Sequence, residues 1–332
     1  MRIDELEKTR SRRRLDRILV TGRSDIFAFT GVDTDNGILS GGVLYTDFRY
    51  IPAARRIAPW LKVVDIRRFK PGSGRIGCDF GMPHDRFLAL KKKARGATLV
   101  DVSADIRALR MEKLPEEIAK IRAAESLACR IWRDACAEFK PGMTERRMAS
   151  VVKKMMIDLG DGEAFPTIVC VGKNAAECHH IPDDTVWNGR EPVLVDMGVK
   201  LDGYCSDLTR NLVPKRQPGL YRKIYDLVLK ANLAAIAAAK PGMTGKALDR
   251  VARRVIADGG FGKCFGHSLG HGVGCEVHEG PNVSKRGSNV LKPGMVLTIE
   301  PGVYLEGNLG VRIEDLVLIT ETGCEVLSDA PK

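Results

Sequence analysis

The chain repeats itself. KPGMTERRMASVVKKMMIDLG, residues 140–160, aligns without a gap on KPGMTGKALDRVARRVIADGG, residues 240–260, at an offset of one hundred residues. The pentapeptide KPGMT is identical in both copies, and a long stretch of helical spacing precedes each (116–139 and 220–239). In both, Pro-Gly breaks the first helix and the threonine is placed to cap the second. Paired lysines or arginines (Lys153, Lys154; Arg253, Arg254) are expected on the solvent face of the second helix both times. Beyond the helices the copies agree less closely. CHHIP (178–182) and VHEGP (277–281) each place a histidine three residues before a proline, and each half then supplies an apolar strand ending in an acid, Asp196 or Glu300. A second acid follows beyond a turn, Asp207 in one half and Glu314 in the other. Two halves related by a pseudo-twofold axis would bring these four carboxylates to one place.

The clearest piece of local geometry is VLVDMGVKLDGYCSDLTR, 193–210, which reads as a β-hairpin turning at Asp202-Gly203. A two-residue turn there sets Asp196 opposite Thr209, with Asp207 further along on the same face of the pleat. Two acids on one face of an apolar hairpin need a cation or a shared proton, unless that face is open to water. The hairpin alone leaves both readings standing.

Composition narrows the class. Of 332 residues, 44% are hydrophobic and 29% charged, the balance of a globular protein. No apolar run approaches the ~20 residues of a membrane span. The charged start MRIDELEKTRSRRR lacks the apolar core of a signal peptide. Nine scattered cysteines show neither a C-x-x-C pair nor a disulfide spacing, so reduced thiols and a cytoplasmic location are expected, and a cysteine-rich structural zinc site is excluded. The net charge of +11 is uneven: 24 Lys+Arg stand against 14 Asp+Glu through Leu114, whereas the remainder holds 29 against 28. With no nucleic-acid motif or interleaved aromatics beside that surplus, a solvated basic face is the better reading than nucleic-acid binding.

Within that basic part, DRILVTG, DIFAFTG, GILSGGVLYTDFRY and LKVVDI read as strands, and 51–60 and 84–95 as helices, giving a small α/β domain. The character changes at 110–115, where Pro115-Glu116-Glu117 opens a long helix. Domains are therefore expected at 1–112 and 113–332.

Three of the six histidines, His267, His271 and His278, fall in FGHSLGHGVGCEVHEGP (265–281), with Gly270, Gly272 and Gly274 around His271. Those glycines allow tight turns or close backbone approach, and they fit no phosphate-loop spacing. Clustered histidines in a chain with paired acids point to metal or acid–base chemistry. Four carboxylates and one imidazole would suit Mn, Co, Fe or Zn, and carboxylates can bridge two ions for hydrolysis.

The series NAAECHHIPDD, VLVDMGVKLDGYCSDLTR, FGHSLGHGVGCEVHEGP, MVLTIEPGVY and GVRIED resembles the pita-bread metallopeptidases, in particular the Xaa-Pro peptidase branch of aminopeptidase P and prolidase. The resemblance runs from about Leu109 to Lys332, and the part before it looks like the creatinase-type N-terminal domain. It implies an α+β pita-bread domain with a pseudo-twofold repeat, preceded by a smaller α/β domain. By position it implies two divalent ions, manganese first and Co, Zn or Fe as alternatives, held by Asp196, Asp207, His271, Glu300 and Glu314. Asp207 and Glu314 would bridge the ions. Glu300 would also handle the proton of the attacking water, and His179 and His278 would contact substrate and support the oxyanion. His267, Tyr304 and Arg312 would lie around the ligands or on the substrate side.

A resemblance of this kind implies peptide substrates with proline second and a homodimer. Between branches the short N-terminal part favours Xaa-Pro aminopeptidase, with Xaa-Pro dipeptidase (prolidase) as the alternative. Methionine aminopeptidase shares the ligand logic but fits GVRIED and the N-terminal domain less well. A creatinase-like enzyme would lack the ligand set. A non-catalytic peptide-binding relative would be expected to have lost ligands that this chain retains.

Overall fold

The computed structural model describes residues 2–332, which divide into two compact units at Arg110 and Met111. In the first unit, strands Arg17–Leu19, Gly74–Cys78 and Ala97–Asp101 form a parallel sheet with Gly74–Cys78 in the middle. A second sheet holds the hairpin Gly37–Ser40 and Val43–Thr46, with Lys62–Asp65 parallel to its second strand. A single bridge, Val20 to Leu39, connects the two sheets. Leu19, Val20, Ile26, Leu39 and Leu44 are buried at their junction.

One segment differs from its sequence reading. DIFAFTG is not a strand: Arg23–Thr30 is a helix, closed where Gly31 takes a left-handed φ of 73° and donates its N–H to the Phe27 carbonyl. Glycines at both ends punctuate it, and Ile26 with Phe29 and Thr30 buries one face at helical spacing. The apolar run was too short for periodicity to decide between the two periods. Two strands, Gly74–Cys78 and Ala97–Asp101, also lie outside the segments the sequence marked.

The second unit performs one pattern twice. Helix Pro115–Glu138 leads through KPGMT to helix Glu145–Leu159; helix Gly219–Ala238 leads through KPGMT to helix Gly245–Asp258. Thr144 and Thr244 both cap, accepting from the N–H of Arg147 and Ala247. The backbone around the two turns matches bond for bond. The Gly142 N–H donates to the Trp187 carbonyl and that of Gly242 to the Leu291 carbonyl, while the N–H groups of Trp187 and Leu291 return to Met143 and Met243.

Each half buries its own apolar core against its helices. Val193, Val195, Met197 and Leu208 pack with Ala128, Ile131, Met148 and Val152 in the first half, and Leu297, Ile299, Val317 and Ile319 pack with Ile224, Val228, Leu248 and Ile256 in the second. The strands Ile168–Val171, Val193–Met197 and Leu208–Leu212 form one antiparallel sheet. Its counterpart has five strands and centres on Gly270–Gly272, Val296–Ile299 and Asp315–Ile319. Alternation sends Val195 and Met197 to the helices and Asp196, between them, to the opposite face, whereas Asp315, in step with Val317 and Ile319, faces the helix that carries Asn232.

The expected exposure of the paired cations holds for Lys153, Lys154 and Arg254 but not for Arg253. Its guanidinium pairs with the buried Asp249 carboxylate (Nη2–Oδ1 2.7 Å) and donates to the carbonyls of Phe265 and His267, 2.8 Å each. Asp249 also accepts the Leu269 N–H. A cation one helical turn after a buried acid is drawn inward, and here it straps the segment carrying His267 to the helix.

Candidate metal centre

The hairpin turns at Asp202 (φ 49°) and Gly203 (φ 77°), both left-handed as a two-residue turn requires. Lys200 pairs with Cys205 and Asp196 with Thr209, the expected register. Ladder pairing lapses between these points, so Asp207 is not in a continuous strand: it stands in the gap opposite Gly198. There its N–H is free to donate to Glu125 Oε2 (3.2 Å) from the long helix behind it, and its own carboxylate is nearly sealed from water. Interrupting the ladder turns the second acid inward.

In the second half, Ile299 pairs with Asp315, which sets Glu300 and Glu314 just beyond the end of that ladder. His271 is held between two glycines that allow no side chain: a Cβ would lie 2.0 Å from the Thr298 carbonyl oxygen at Gly270 and 1.9 Å from that of Gly280 at Gly272. Close backbone approach is therefore what this glycine-rich run is for.

The imidazole of His271 has its Nδ1 3.1 Å from the Gly272 carbonyl oxygen, so that nitrogen carries the proton and Nε2 presents a lone pair. Nε2 faces Asp207 Oδ2 at 3.6 Å and Glu300 Oε1 at 3.4 Å. Burial, reinforced by His278 whose ring lies 4.2 Å away, lowers the His271 pKa to about 4. One donor atom each from Asp207, His271 and Glu314 lie within 4.8 Å of one another. Burial raises the pKa of Asp207 and Glu314 well above the carboxylate range and that of Glu300 to about 8; the neighbouring acids of the group add to each shift. Asp196 closes the group, and its Oδ1 is buried with no hydrogen-bond partner among the described residues.

Lone pairs facing lone pairs, with an orphaned carboxylate oxygen beside them, fit divalent cations: oxygen donors dominate and the one nitrogen donor is neutral. Asp196, Asp207, His271, Glu300 and Glu314 could all contribute.

Around the acids runs a fixed set of hydrogen bonds. Arg312, the buried cation in contact with them, donates to Asp196 Oδ2 (2.6 Å), to the Thr209 hydroxyl (3.0 Å) and to Tyr304 Oη (2.9 Å). Thr209 in turn donates to Glu314 Oε2 (2.7 Å). Tyr304 reaches His267 Nε2 (2.9 Å), whose Nδ1 donates to the Ser268 carbonyl (2.8 Å), so the ring accepts from the tyrosine. Burial and then Arg312 lower the His267 pKa to about 4, consistent with that neutral tautomer. Thr298 plays a matching part, accepting the His271 N–H and donating to Glu300 Oε1 (3.3 Å). His179 and His278 are exposed, and His179 is near enough to His267 for its charge to be felt there. All ten positions marked by sequence thus gather on one face of the duplicated domain.

Sequence reasoning did not reach the supports. Glu125, fully buried, takes a hydrogen bond from Ser328 (2.6 Å) besides that from Asp207, and desolvation raises its pKa to about 7. Arg210 is equally buried and ties the halves together, donating to the carbonyls of Thr209 and Glu314 and to Asp315 Oδ1 (2.8 Å). Asp315 also accepts from Asn232. An arginine or glutamate inside an apolar core leaves no periodic signature; only its place three residues from a ligand, as for Arg210, or inside an apolar helix stripe, as for Glu125, hints at it.

A duplicated α+β domain that gathers carboxylates from both halves around a neutral imidazole defines the pita-bread metallohydrolase class. Comparison with known families is specific. Residues 119–321 match the description of metallopeptidase family M24, and residues 2–112 match the creatinase/prolidase N-terminal domain. The chain belongs to metallopeptidase family M24. The Xaa-Pro dipeptidase of Pyrococcus furiosus is 34% identical over 342 residues, covering 98% of this chain and 97% of that protein. Among solved structures, the prolidase of Pyrococcus horikoshii superposes with a TM-score of 0.95 at 32% identity, covering 100% and 99% of the two chains. The X-Pro aminopeptidase of Thermotoga maritima does so at 0.88 and 32%, covering 97% and 98%.

Proposed function

We propose that the protein is a dinuclear-metal Xaa-Pro dipeptidase whose catalytic domain spans residues 113–332. The observation that carries this reading is the approach of Asp207, His271 and Glu314, one donor atom from each within 4.8 Å, at the meeting of the two halves. Asp196, Asp207, His271, Glu300 and Glu314 would hold two ions, with Asp207 and Glu314 shared. The oxygen-rich donor set suits manganese or cobalt. Bound ions would polarise the scissile carbonyl and make water more acidic.

The chain's own residues do the rest. Glu300, whose carboxyl pKa burial raises to about 8, takes a proton from the attacking water and passes it to the proline nitrogen as the C–N bond breaks. His179 and His278, exposed at the rim, donate to the carbonyl oxygen as negative charge develops on it. Arg312 holds Asp196 and, through Thr209, Glu314 in fixed orientation. Tyr304 and His267 fix the other side of the guanidinium.

The dipeptidase reading replaces the sequence-based preference for an aminopeptidase. That preference rested on a short N-terminal part, yet the Pyrococcus furiosus dipeptidase matches this chain end to end, so brevity does not separate the branches. Aminopeptidase remains the second reading, supported by the Thermotoga maritima structure. The test compares Ala-Pro, Ala-Pro-Ala and Met-Ala with Mn-loaded enzyme. Ala-Pro is expected to be cleaved at least about tenfold faster than the tripeptide, a margin of roughly 1.4 kcal/mol in the barrier. Preference for the tripeptide would select the aminopeptidase, and cleavage of Met-Ala alone would overturn the Xaa-Pro assignment.

A further inference from the structure

A second polar group lies outside the metal centre. Glu145, directly after KPGMT in the first repeat, is fully buried, and four donors converge on its carboxylate. Oε1 accepts the Val171 N–H (2.6 Å) and Asn174 Nδ2 (2.9 Å), and Oε2 accepts His180 Nε2 (2.7 Å) and the Asp183 N–H (3.1 Å). Glu145, His180 and Asp183 are close enough to crowd a cation, but both carboxylate oxygens are already taken by N–H donors. All four donors belong to one segment, 171–183, and that segment carries His179.

The other half solves the same problem differently. The backbone straps agree: the N–H groups of Glu145 and Arg146 donate to Thr185 and Asp183, and those of Gly245 and Lys246 to Asn289 and Gly287. At the position equivalent to Glu145 stands Gly245, where a Cβ would lie 2.1 Å from the Asn282 carbonyl oxygen. Asn282 follows His278 by four residues, as Asp183 follows His179. In the second half the backbone beyond the rim histidine rests directly on the helix start. In the first half a gap remains, and the Glu145 carboxylate bridges it.

We propose that Glu145 and His180 are a positioning pair that sets His179 for catalysis; this rests on the reading of His179 as a group that contacts substrate. Burial alone would depress the His180 imidazole, but Glu145 outweighs it and the ring holds its proton more tightly than a free histidine. A ring pinned by a buried carboxylate fixes the backbone of its neighbour, whose own side chain is exposed. A displacement of about 1 Å at such a residue can cost up to ~100-fold in rate.

The experiment is a double-mutant cycle in the Mn-loaded enzyme with Ala-Pro as substrate. His180→Leu should lower kcat by roughly 10- to 100-fold with KM within about threefold, and metal content unchanged. His180→Gln, which keeps an N–H donor for Glu145, should recover most of the rate, and Glu145→Gln should resemble His180→Leu. In a His179→Ala background neither change should cost more than about twofold further. Full, multiplicative losses in that background, or a His180→Leu enzyme with wild-type kcat, would overturn the proposal. Amide hydrogen exchange across 171–183 should also accelerate in His180→Leu and Glu145→Gln, and unchanged exchange would refute the pinning. Exchange needs no turnover, so an enzyme inactive on every Xaa-Pro substrate would refute the functional reading and leave this measurement to judge the pair.

Discussion

Loading the metal-free enzyme with manganese should expel protons, and their number follows from the site. Four carboxylates, those of Asp196, Asp207, Glu300 and Glu314, face one cation, Arg312, so full ionisation would leave three uncompensated negative charges in a largely buried space. The metal-free site avoids this by keeping protons: burial and mutual repulsion raise Asp207 and Glu314 well above the carboxylate range and Glu300 to about 8. Metal ligation requires the deprotonated forms, so loading at pH 7 should release roughly two to three protons.

Calorimetric titration in buffers of different ionisation enthalpy counts those protons. The number should fall as pH rises through about 8, because Glu300 is then ionised beforehand. The sign for stability follows from the same shift. A carboxyl whose folded pKa exceeds its unfolded value gives the metal-free fold stability that is present at low pH and lost between the unfolded pKa, about 4.3, and the folded one. The metal-induced rise in Tm should therefore grow from pH 5 to pH 8. Loading without proton release at pH 7, or a Tm rise independent of pH over that window, would refute the description of the site as a crowded acid cluster.

Asp207→Asn should reduce hydrolysis to background while raising the stability of the metal-free protein. Relieving one buried acid is worth on the order of 1–2 kcal/mol, or a few degrees in Tm by calorimetry; an active enzyme with full metal content would contradict the shared-ligand role. His278→Ala, which would remove one of the proposed donors to the oxyanion, should lower kcat about 100-fold with KM little changed in steady-state kinetics. Arg253→Met leaves Asp249 buried and unpaired and frees the segment 265–269, so urea unfolding should show a loss of about 3 kcal/mol. A surface arginine would show almost none.

Much of the active half was legible because its restraints are local. Asp202-Gly203 fixes the turn, the turn fixes the register, and the register sets Asp196 opposite Thr209. KPGMT repeats because each copy must break a helix and cap the next, and both threonines do so. What escaped was decided by packing at long range. The lapse in pairing that turns Asp207 inward depends on Glu125, eighty-two residues earlier, accepting its N–H. Arg253 leaves solvent for Asp249, one helical turn before it, and for the carbonyls of Phe265 and His267, and it is those carbonyls that sequence spacing alone could not place beside it. In the first unit, Arg23–Thr30 is helical because tertiary burial of Ile26 and Phe29 prevailed over residues that favour strands. Glu145 did leave a trace, since it and Gly245 differ at the first position after an identical pentapeptide. That contrast has meaning only once the two histidine segments are seen resting on those helix starts.

The most direct measurement is metal stoichiometry and position together: elemental analysis of the Mn-loaded protein, with anomalous diffraction at the manganese edge. Two ions per chain are expected, both within coordination distance of Asp207 and Glu314, one also touching Asp196 and the other His271 and Glu300. A single ion, or ions bound away from Asp207, would contradict a centre assembled from both halves of the repeat.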